Sequence, residues 1–259
     1  MPKTILFSIL ICLTLIASAQ TDSIPDEAKK FIVAGYEPLD YITGDLNGDK
    51  KTDAILILKQ PGEDSLYGEE TPRPMLLLIR QADGKLKQVA RNDNAIMCRH
   101  CGGVFGDPYE GVEISIRRFS LFFYGGSSWR WAYQYDFAYK AAKKNWFLVK
   151  EDQGSFQSGD PEMTMKEVII KEAELGEVSI TAFSTDPVYE DSKWQVKALK
   201  TFFYDSPQLG SKPRKGYLIK GDKVTGIRHL KNFIEVSFDN GKGVFTSGFI
   251  LKKDLLKMQ

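Results

Sequence analysis

The sequence predicts a mainly β fold made of antiparallel sheets. Aromatic residues make up 12% of the 259 residues, and 22 Gly and 11 Pro supply frequent turns, a composition typical of strand-rich chains. Short apolar or alternating segments separated by turn residues recur along most of the chain. We therefore expect an N-terminal antiparallel β-sheet domain, built like a propeller blade or a sandwich, followed by a small second β unit.

The first distinctive segment is GDLNGDKKTDAILIL, residues 44–58, where a loop rich in oxygen-bearing side chains runs directly into an apolar strand. Calcium binds about six to eight oxygen atoms, and a D-x-N-x-D-x-x-x-D loop can supply them from one tight curl. Gly48 suits that curl because it lacks a Cβ. The predicted ligands of a structural calcium ion are the side chains of Asp45, Asn47, Asp49 and Asp53 and a backbone carbonyl near Lys51. A solvated turn is the alternative interpretation.

This loop differs from an EF-hand, which requires a bidentate Glu at about the twelfth loop position. Here that position is Leu56, inside the apolar strand. The spacing instead resembles the calcium loop of FG-GAP and VCBS-type repeats in exported bacterial proteins, and the chain resembles an uncharacterised family with one such loop over residues 31–149. A propeller repeats the motif in every blade. Because this chain has a single copy, we do not expect a closed propeller.

Residues 1–19 have the parts of a secretory signal peptide, which are a basic start, the apolar run 5–16 and the small residues 17–19. The apolar run is too short to span a bilayer. Cys12 follows the large Ile11, unlike the small residue that usually precedes a lipid-anchored cysteine. We expect cleavage after residue 19, export to the periplasm or the extracellular space, and no integral membrane segment in the mature chain.

The charge of the chain limits the classes of partner, and its length limits the number of domains. The chain has 35 basic and 34 acidic residues, and so balanced a charge argues against nucleic acid or an anionic membrane as the main partner. A chain of this length suits one extended domain and one small domain. We expect a short helix to start within 20–30, a β-rich domain with the calcium loop over 31–190, and the second unit over 191–259.

Cys98 and Cys101 are the two cysteines that remain after signal cleavage. In an oxidising compartment, a pair so close in sequence is expected to be disulfide-bonded or redox-active. Arg99 and His100 between them can lower the pKa of a thiol. Three interpretations stay open: a structural disulfide, a redox dithiol, or a metal site formed by both cysteines with His100.

An aromatic strand is predicted after Gly126. Alternation places six rings on one face of this strand, and they belong to Trp129, Trp131, Tyr133, Tyr135, Phe137 and Tyr139. Large aromatic side chains dominate both sheet cores and interfaces, so this face is either core or binding surface. The possible binding surface comprises Trp129, Trp131 and Tyr133, with the neighbouring Arg130 able to clamp an anion.

Two other segments carry weaker signals. Residues 59–74 contain two Gly, three Pro and many acids, which predicts a long surface loop outside any packed core. The stretch 163–185 is ambiguous between helix and strand, and we expect strands at 168–170 and 178–183.

The last part of the chain is predicted to be a unit of short strands, with a tight turn at Asp239-Asn240-Gly241 and one helical turn in KKDL. The order YLIKGD, then F-x-x-V, then GFI-x-x-x-DL over residues 197–256 resembles a bacterial SH3 (SH3b-like) domain. The resemblance implies a small SH3-like β-barrel that binds peptides or cell-wall material.

These features together predict an exported, non-catalytic binding or interaction protein of the cell envelope, whose partner is cell-wall material or a protein or peptide. An envelope hydrolase or redox enzyme that uses Cys98 or Cys101 is one alternative, and a periplasmic inhibitor or immunity protein is another. A serine hydrolase is disfavoured, because the Gly-x-Ser-x-Gly pattern is absent and the only imidazoles belong to His100 and His229.

Overall fold

The computed structural model describes residues 24–65, 71–185 and 192–258. It is mainly β, and its strands form three antiparallel sheets without a closed propeller, which confirms the predicted fold class. No helix in these three ranges is both long and apolar enough to cross a lipid bilayer. The predicted signal peptide and the predicted domain boundary at 186–191 lie outside the described residues.

The first sheet follows a short helix, α1 (Asp26–Lys29), which begins in the region where a helix was predicted. Its strand order is β1 (Glu37–Gly44), β2 (Asp53–Lys59), β3 (Met75–Arg80) and β4 (Leu86–Asn92). β2 is buried on both faces, which explains its unbroken apolar sequence. Ile55 and Ile57 join the main core, while Leu56 and Leu58 pack in a second cluster that the N-terminal segment covers.

The second sheet is formed by β5 (Tyr109–Ser115), β6 (Arg118–Gly126), β7 (Trp129–Lys140), β8 (Asn145–Gln157) and β9 (Lys166–Lys171), in that order. Two helical turns, α2 (Pro161–Thr164) and α3 (Glu172–Leu175), flank β9. β9 confirms the strand predicted at 168–170. The strand predicted at 178–183 is wrong, because that segment makes one isolated bridge, Phe147 to Ser179, and then turns into the core.

The third sheet curls into a half-barrel. Its strands are β10 (Ser192–Val196), β11 (Lys200–Tyr204), β12 (Pro213–Ile219), β13 (Lys223–His229), β14 (Phe233–Asp239), β15 (Phe245–Leu251) and β16 (Leu255–Lys257), arranged in the order β12-β11-β15-β14-β13-β10-β16. The predicted turn joins β14 to β15, and the predicted helical turn is a 3-10 helix, Lys252–Asp254.

The main hydrophobic core is shared by all three sheets. It contains Ile55 from the first sheet, Phe137 and Trp146 from the second, and Phe233 and Phe249 from the third. The half-barrel also has a smaller cluster of its own, formed by Trp194, Val196, Phe203, Leu218, Val224, Ile234, Val236, Ile250 and Leu255. One face of the half-barrel therefore packs in its own cluster. The other face packs in the main core with the first two sheets.

A buried ion-pair network contradicts the surface loop predicted at 59–74 for the parts that the structure describes, whereas residues 66–70 lie outside the described residues. Arg73 is fully buried and bonds the carboxylate of Glu63, which is itself 2% exposed. The same guanidinium donates to both oxygens of Asp107, at 2.8 and 2.7 Å, and to the Met97 carbonyl at 3.2 Å. The described parts of the segment 59–74 are thus held against the cysteine-containing loop. The Gly and Pro content of this segment gave no indication of the buried ion pair.

We expect Arg73→Ala to reduce the free energy of unfolding by about 3–5 kcal/mol, because it leaves the buried carboxylate of Glu63 without a partner. The matched control is Arg91→Ala, which removes an exposed pair with Asp93 and should cost less than about 1 kcal/mol. Urea unfolding followed by tryptophan fluorescence measures both. Equal effects of the two substitutions would show that the buried network does not stabilise the fold.

Candidate functional site

The loop between β1 and β2 brings three carboxylates together. Asp45 directly follows β1, and Asp53 is the first residue of β2, paired with Gly44 across the hairpin. One carboxylate oxygen each from Asp45, Asp49 and Asp53 lies within 4.8 Å of the others. The loop spacing therefore produces a converging set of hard oxygen atoms, the donor type that calcium prefers.

Side-chain to backbone hydrogen bonds hold the loop in its curl. The Asp45 carboxylate accepts from the backbone N–H of Gly48 at 2.6 Å and of Lys50 at 2.9 Å. Gly48 has a φ of +83°, which a residue with a Cβ adopts only with strain. The Asn47 side-chain oxygen accepts from the N–H of Asp49 at 2.9 Å. The acidic side chains are therefore oriented by the loop itself.

Lys51 is placed beside Asp49 by its own backbone and side chain. Its N–H donates to one carboxylate oxygen at 2.9 Å, and its ammonium donates to the other at 3.1 Å. A positive charge thus already approaches the carboxylate group from the outside of the loop. Of the predicted ligands, the structure brings the three Asp residues together and uses the Asn47 side chain as a cap on the loop backbone.

Asp53 is the buried member of the group. It is fully excluded from solvent, and its two oxygens accept from the N–H groups of Leu46 at 3.0 Å and Arg80 at 2.9 Å. Burial raises the pKa of Asp53, the two backbone hydrogen bonds oppose that rise, and the charges of Asp49 and Asp45 add to it. A cation held among the three carboxylates would offset both the burial and the repulsion.

The loop is fixed to the second sheet as well as the first. The indole N–H of Trp146 on β8 donates to the Leu46 carbonyl at 2.8 Å. The backbone N–H of Arg117, in the β5–β6 turn, donates to the Asp45 carbonyl at 2.9 Å. Trp146 is part of the main core. Order in the loop is therefore coupled to the packing between the first two sheets.

The loop at 93–108 contains the predicted disulfide. The sulfur atoms of Cys98 and Cys101 are 2.13 Å apart and form a bond, so in this form neither is the thiolate that a zinc site requires. The following glycines dock backbone to backbone on the end of β6. Gly126 donates its N–H to the Gly102 carbonyl at 2.9 Å, and Val104 donates to the Gly126 carbonyl at 3.1 Å.

The aromatic face of β7 is surface at one end and core at the other. Trp129 is 50% exposed, whereas Tyr135 and Phe137 are buried in the main core. Trp131 and Tyr133 lie between these extremes, half-buried, with their rings stacked at a centroid distance of 5.0 Å. The core interpretation is therefore confirmed for the end of the strand with Tyr135 and Phe137, and the end with Trp129 is exposed.

Arg130 does not join this aromatic face. Neighbouring residues of a strand point to opposite sides of a sheet, and the Arg130 guanidinium lies 4.0 Å from the ring centroid of Phe105, in the cysteine-containing loop. The predicted binding surface thus divides into an aromatic part and a separate cation–π contact.

A cleft of about 810 Å³ opens where the second and third sheets meet the segments that precede β3 and follow β4. The disulfide and residues 93–97 form one wall, and β7 and β8 form a second with Trp131 and Tyr133. Residues 227–230 and Glu235 of the half-barrel form a third wall. Pockets of this size, mostly apolar with a few fixed polar groups, are the usual form of a ligand site.

Three charged side chains meet in this cleft. Arg228 on β13 donates through Nη1 to both oxygens of Glu151, at 2.6 and 2.7 Å, and its Nε lies 3.3 Å from a carboxylate oxygen of Glu235. Gln153 also donates to Glu151. Burial raises the pKa of Glu235, Arg228 opposes that rise, and the nearby Glu151 adds to it. Sequence reasoning missed this cluster, because Arg228 and Glu151 are 77 positions apart and no local motif joins them.

Comparison of the chain with protein-family models, with curated proteins and with solved structures finds no match. The resemblance of the 44–58 loop to FG-GAP and VCBS-type repeats, and that of residues 197–256 to bacterial SH3 domains, are therefore carried by their motif residues alone.

We expect calcium to raise the thermal stability of the chelator-treated protein. At about 100 times its Kd, an ion that binds the native state alone adds about 2.7 kcal/mol, which corresponds to a rise in Tm of about 5–10 °C for a chain of this size. Asp45→Asn should abolish most of this rise, because it removes the charge and one ligand oxygen while keeping one of the two oxygens that accept the loop N–H groups. Differential scanning calorimetry with and without calcium measures the change.

The control for this experiment is Asp83→Asn, in the β3–β4 turn, where the carboxylate accepts one backbone N–H at 3.0 Å and stands outside the carboxylate group. Its calcium response should equal that of the unaltered protein. A calcium response that survives Asp45→Asn, or that is missing from the unaltered protein, would contradict a calcium site in this loop.

Proposed function

We propose that this chain is an exported, non-catalytic binding protein of the cell envelope, stabilised by a calcium ion in the β1–β2 loop. The observation that carries the proposal is the cleft between the second sheet, the half-barrel and the cysteine-containing loop, which combines aromatic, apolar and charged walls. Its ligand is cell-wall material or a peptide, the partners that the SH3-like resemblance of the half-barrel implies.

The calcium part is supported by the donor set of the loop. Asp45, Asp49 and Asp53 would hold the ion, and backbone carbonyls or water would complete its shell. The ion would supply charge neutralisation at the buried start of β2, next to the contact between Leu46 and Trp146. It would therefore act on the rigidity of the first two sheets, at a distance from the cleft.

The binding part is supported by the origin of the cleft walls. The half-barrel contributes Arg228 and Leu230, and the second sheet contributes the stacked Trp131 and Tyr133. Because the main core unites these sheets, the walls are held in a fixed relation and the site is preorganised, which lowers the entropic cost of binding.

We expect the full-length protein to sediment with purified cell-wall material in the presence of calcium. Gln153→Trp, which places a large ring in the cleft, should reduce the sedimented fraction by about tenfold, since filling the pocket removes most of its contact area. Tyr217→Ala, at a position on β12 that is 52% exposed, is the control and should sediment normally. The sedimented fraction is measured by gel densitometry.

Two results would count against the proposal. One is the absence of sedimentation by the unaltered, calcium-loaded protein. The other is equal sedimentation of Gln153→Trp and the unaltered protein, which would place binding outside the cleft. Matching thermal transitions of the variants show that each remains folded.

A thiol–disulfide exchange function is the second candidate, and it is favoured by the position of Cys98 and Cys101 in the cleft wall. In such exchange a partner thiolate attacks one sulfur, and a mixed disulfide forms as the Cys98–Cys101 bond breaks and the other sulfur leaves as a thiolate. A second partner thiolate then resolves the mixed disulfide, so that two partner thiols are oxidised to a disulfide as Cys98 and Cys101 are reduced. The first proposal instead expects the disulfide to resist millimolar glutathione, because the adjoining loop is held on β6 by the Gly102–Gly126 hydrogen bond. Alkylation of free thiols followed by mass spectrometry measures this. Rapid reduction in the folded protein would favour exchange.

A further inference from the structure

We infer that the cleft binds a short peptide by its free amino group, which sits beside Glu235 and the aromatic wall while a peptide carbonyl accepts from Arg228. This inference rests on the proposed function, because it takes the cleft as the binding site and adds the chemistry of the ligand.

The charge of the cleft favours a cation. Glu151 and Glu235 both contact the same Arg228 guanidinium, so the cluster carries two negative charges and one positive charge. Among the cleft-lining residues that the structure describes, Arg228 is the single Lys or Arg. A third acid on the wall, Asp93, is already paired with Arg91. An ammonium group balances the remaining negative charge, whereas an anion would meet two carboxylates.

The neighbouring aromatic wall suits the same group. Trp131 and Tyr133 line the cleft as a stacked pair with an interplanar angle of 18°. Ring faces attract ammonium groups through their quadrupole, and tryptophan attracts them most strongly. Carboxylates and aromatic rings around one cavity are therefore a combination that selects a primary amine over a neutral group of the same size.

Arg228 provides a donor for a second ligand group. Its Nη1 donates to Glu151, and its Nε lies 3.3 Å from a Glu235 oxygen without making a hydrogen bond. Its Nη2 is likewise shielded from solvent and has no hydrogen-bond partner among the described residues. Buried donors are rarely left unpaired in native proteins. A neutral carbonyl satisfies this donor without adding negative charge beside the two glutamates. An amine and a carbonyl a short distance apart are the start of a peptide.

The rest of the cleft suits an apolar side chain. Leu148, Leu175, Phe183 and Leu230 also line it. A volume of about 810 Å³ leaves room for a few residues and not for a folded partner. The expected ligand is therefore a short peptide with a free amino terminus and an apolar residue close to it.

The test uses isothermal titration calorimetry with the full-length, calcium-loaded protein and the tripeptide alanyl-leucyl-alanine. We expect saturable binding of the free peptide and at least about tenfold weaker binding of its N-acetylated form, because acetylation removes the charge that the acidic cluster recognises. Glu235→Gln should weaken binding of the free peptide by about tenfold and leave binding of the acetylated form unchanged. Glu113→Gln, on the exposed strand β5, is the control and should bind as the unaltered protein does.

Equal affinity for the free and acetylated peptides would overturn the inference, as would an unchanged affinity in Glu235→Gln. Binding of neither peptide, with cell-wall sedimentation that Gln153→Trp still abolishes, would overturn the amine-bearing ligand and leave the proposed function standing. Competition by a neutral chitin trisaccharide, with no effect of either peptide, would likewise replace the peptide by a glycan. Amine-dependent peptide binding without any cell-wall sedimentation would support the inference and remove the envelope partner.

Discussion

The buried carboxylate of Asp53 is the constraint on which the arrangement of the first two sheets depends. It ties the loop at Leu46 to the edge of β3 at Arg80 through two backbone N–H groups, and Leu46 in turn accepts from the core indole of Trp146. A buried charge is costly unless it is compensated. The charges of the two neighbouring carboxylates add to that cost, and the hydrogen bond between Trp146 and Leu46 links the loop to the core.

The sequence was sufficient where the information is local. The spacing from Asp45 to Asp53 identified a loop whose carboxylates converge. The turn residues 239–241 located the β14–β15 hairpin, because turn geometry depends on a few adjacent residues. The unbroken apolar run of β2 correctly indicated burial on both faces. The strand prediction for 178–183 was wrong. The apolar residues of this segment enter the core along an irregular path, and their spacing in the sequence resembles that of a strand.

Long-range electrostatics could not be read from the chain. Arg73 forms an ion pair with Asp107, which is 34 positions away in the sequence, and Arg228 forms one with Glu151, which is 77 positions away. Charged side chains are mostly exposed in proteins, so nothing local in the sequence indicated that Arg73 and Glu151 are buried. The exposed and buried ends of the aromatic face on β7 are likewise set by neighbouring elements, because alternation assigns a side of the sheet but not what covers it.

The shared core has a consequence for how the chain acquires its structure. Phe233 and Phe249 of the half-barrel complete a cluster that begins with Leu46 and Ile55, so the first sheet cannot finish burying its apolar surface until the third has been synthesised. We therefore expect the shared core to be completed only at the last stage of translation or later. We expect an incomplete chain to lack a packed core. A truncated chain would expose apolar surface to chaperones and proteases and would not fold as a smaller stable protein.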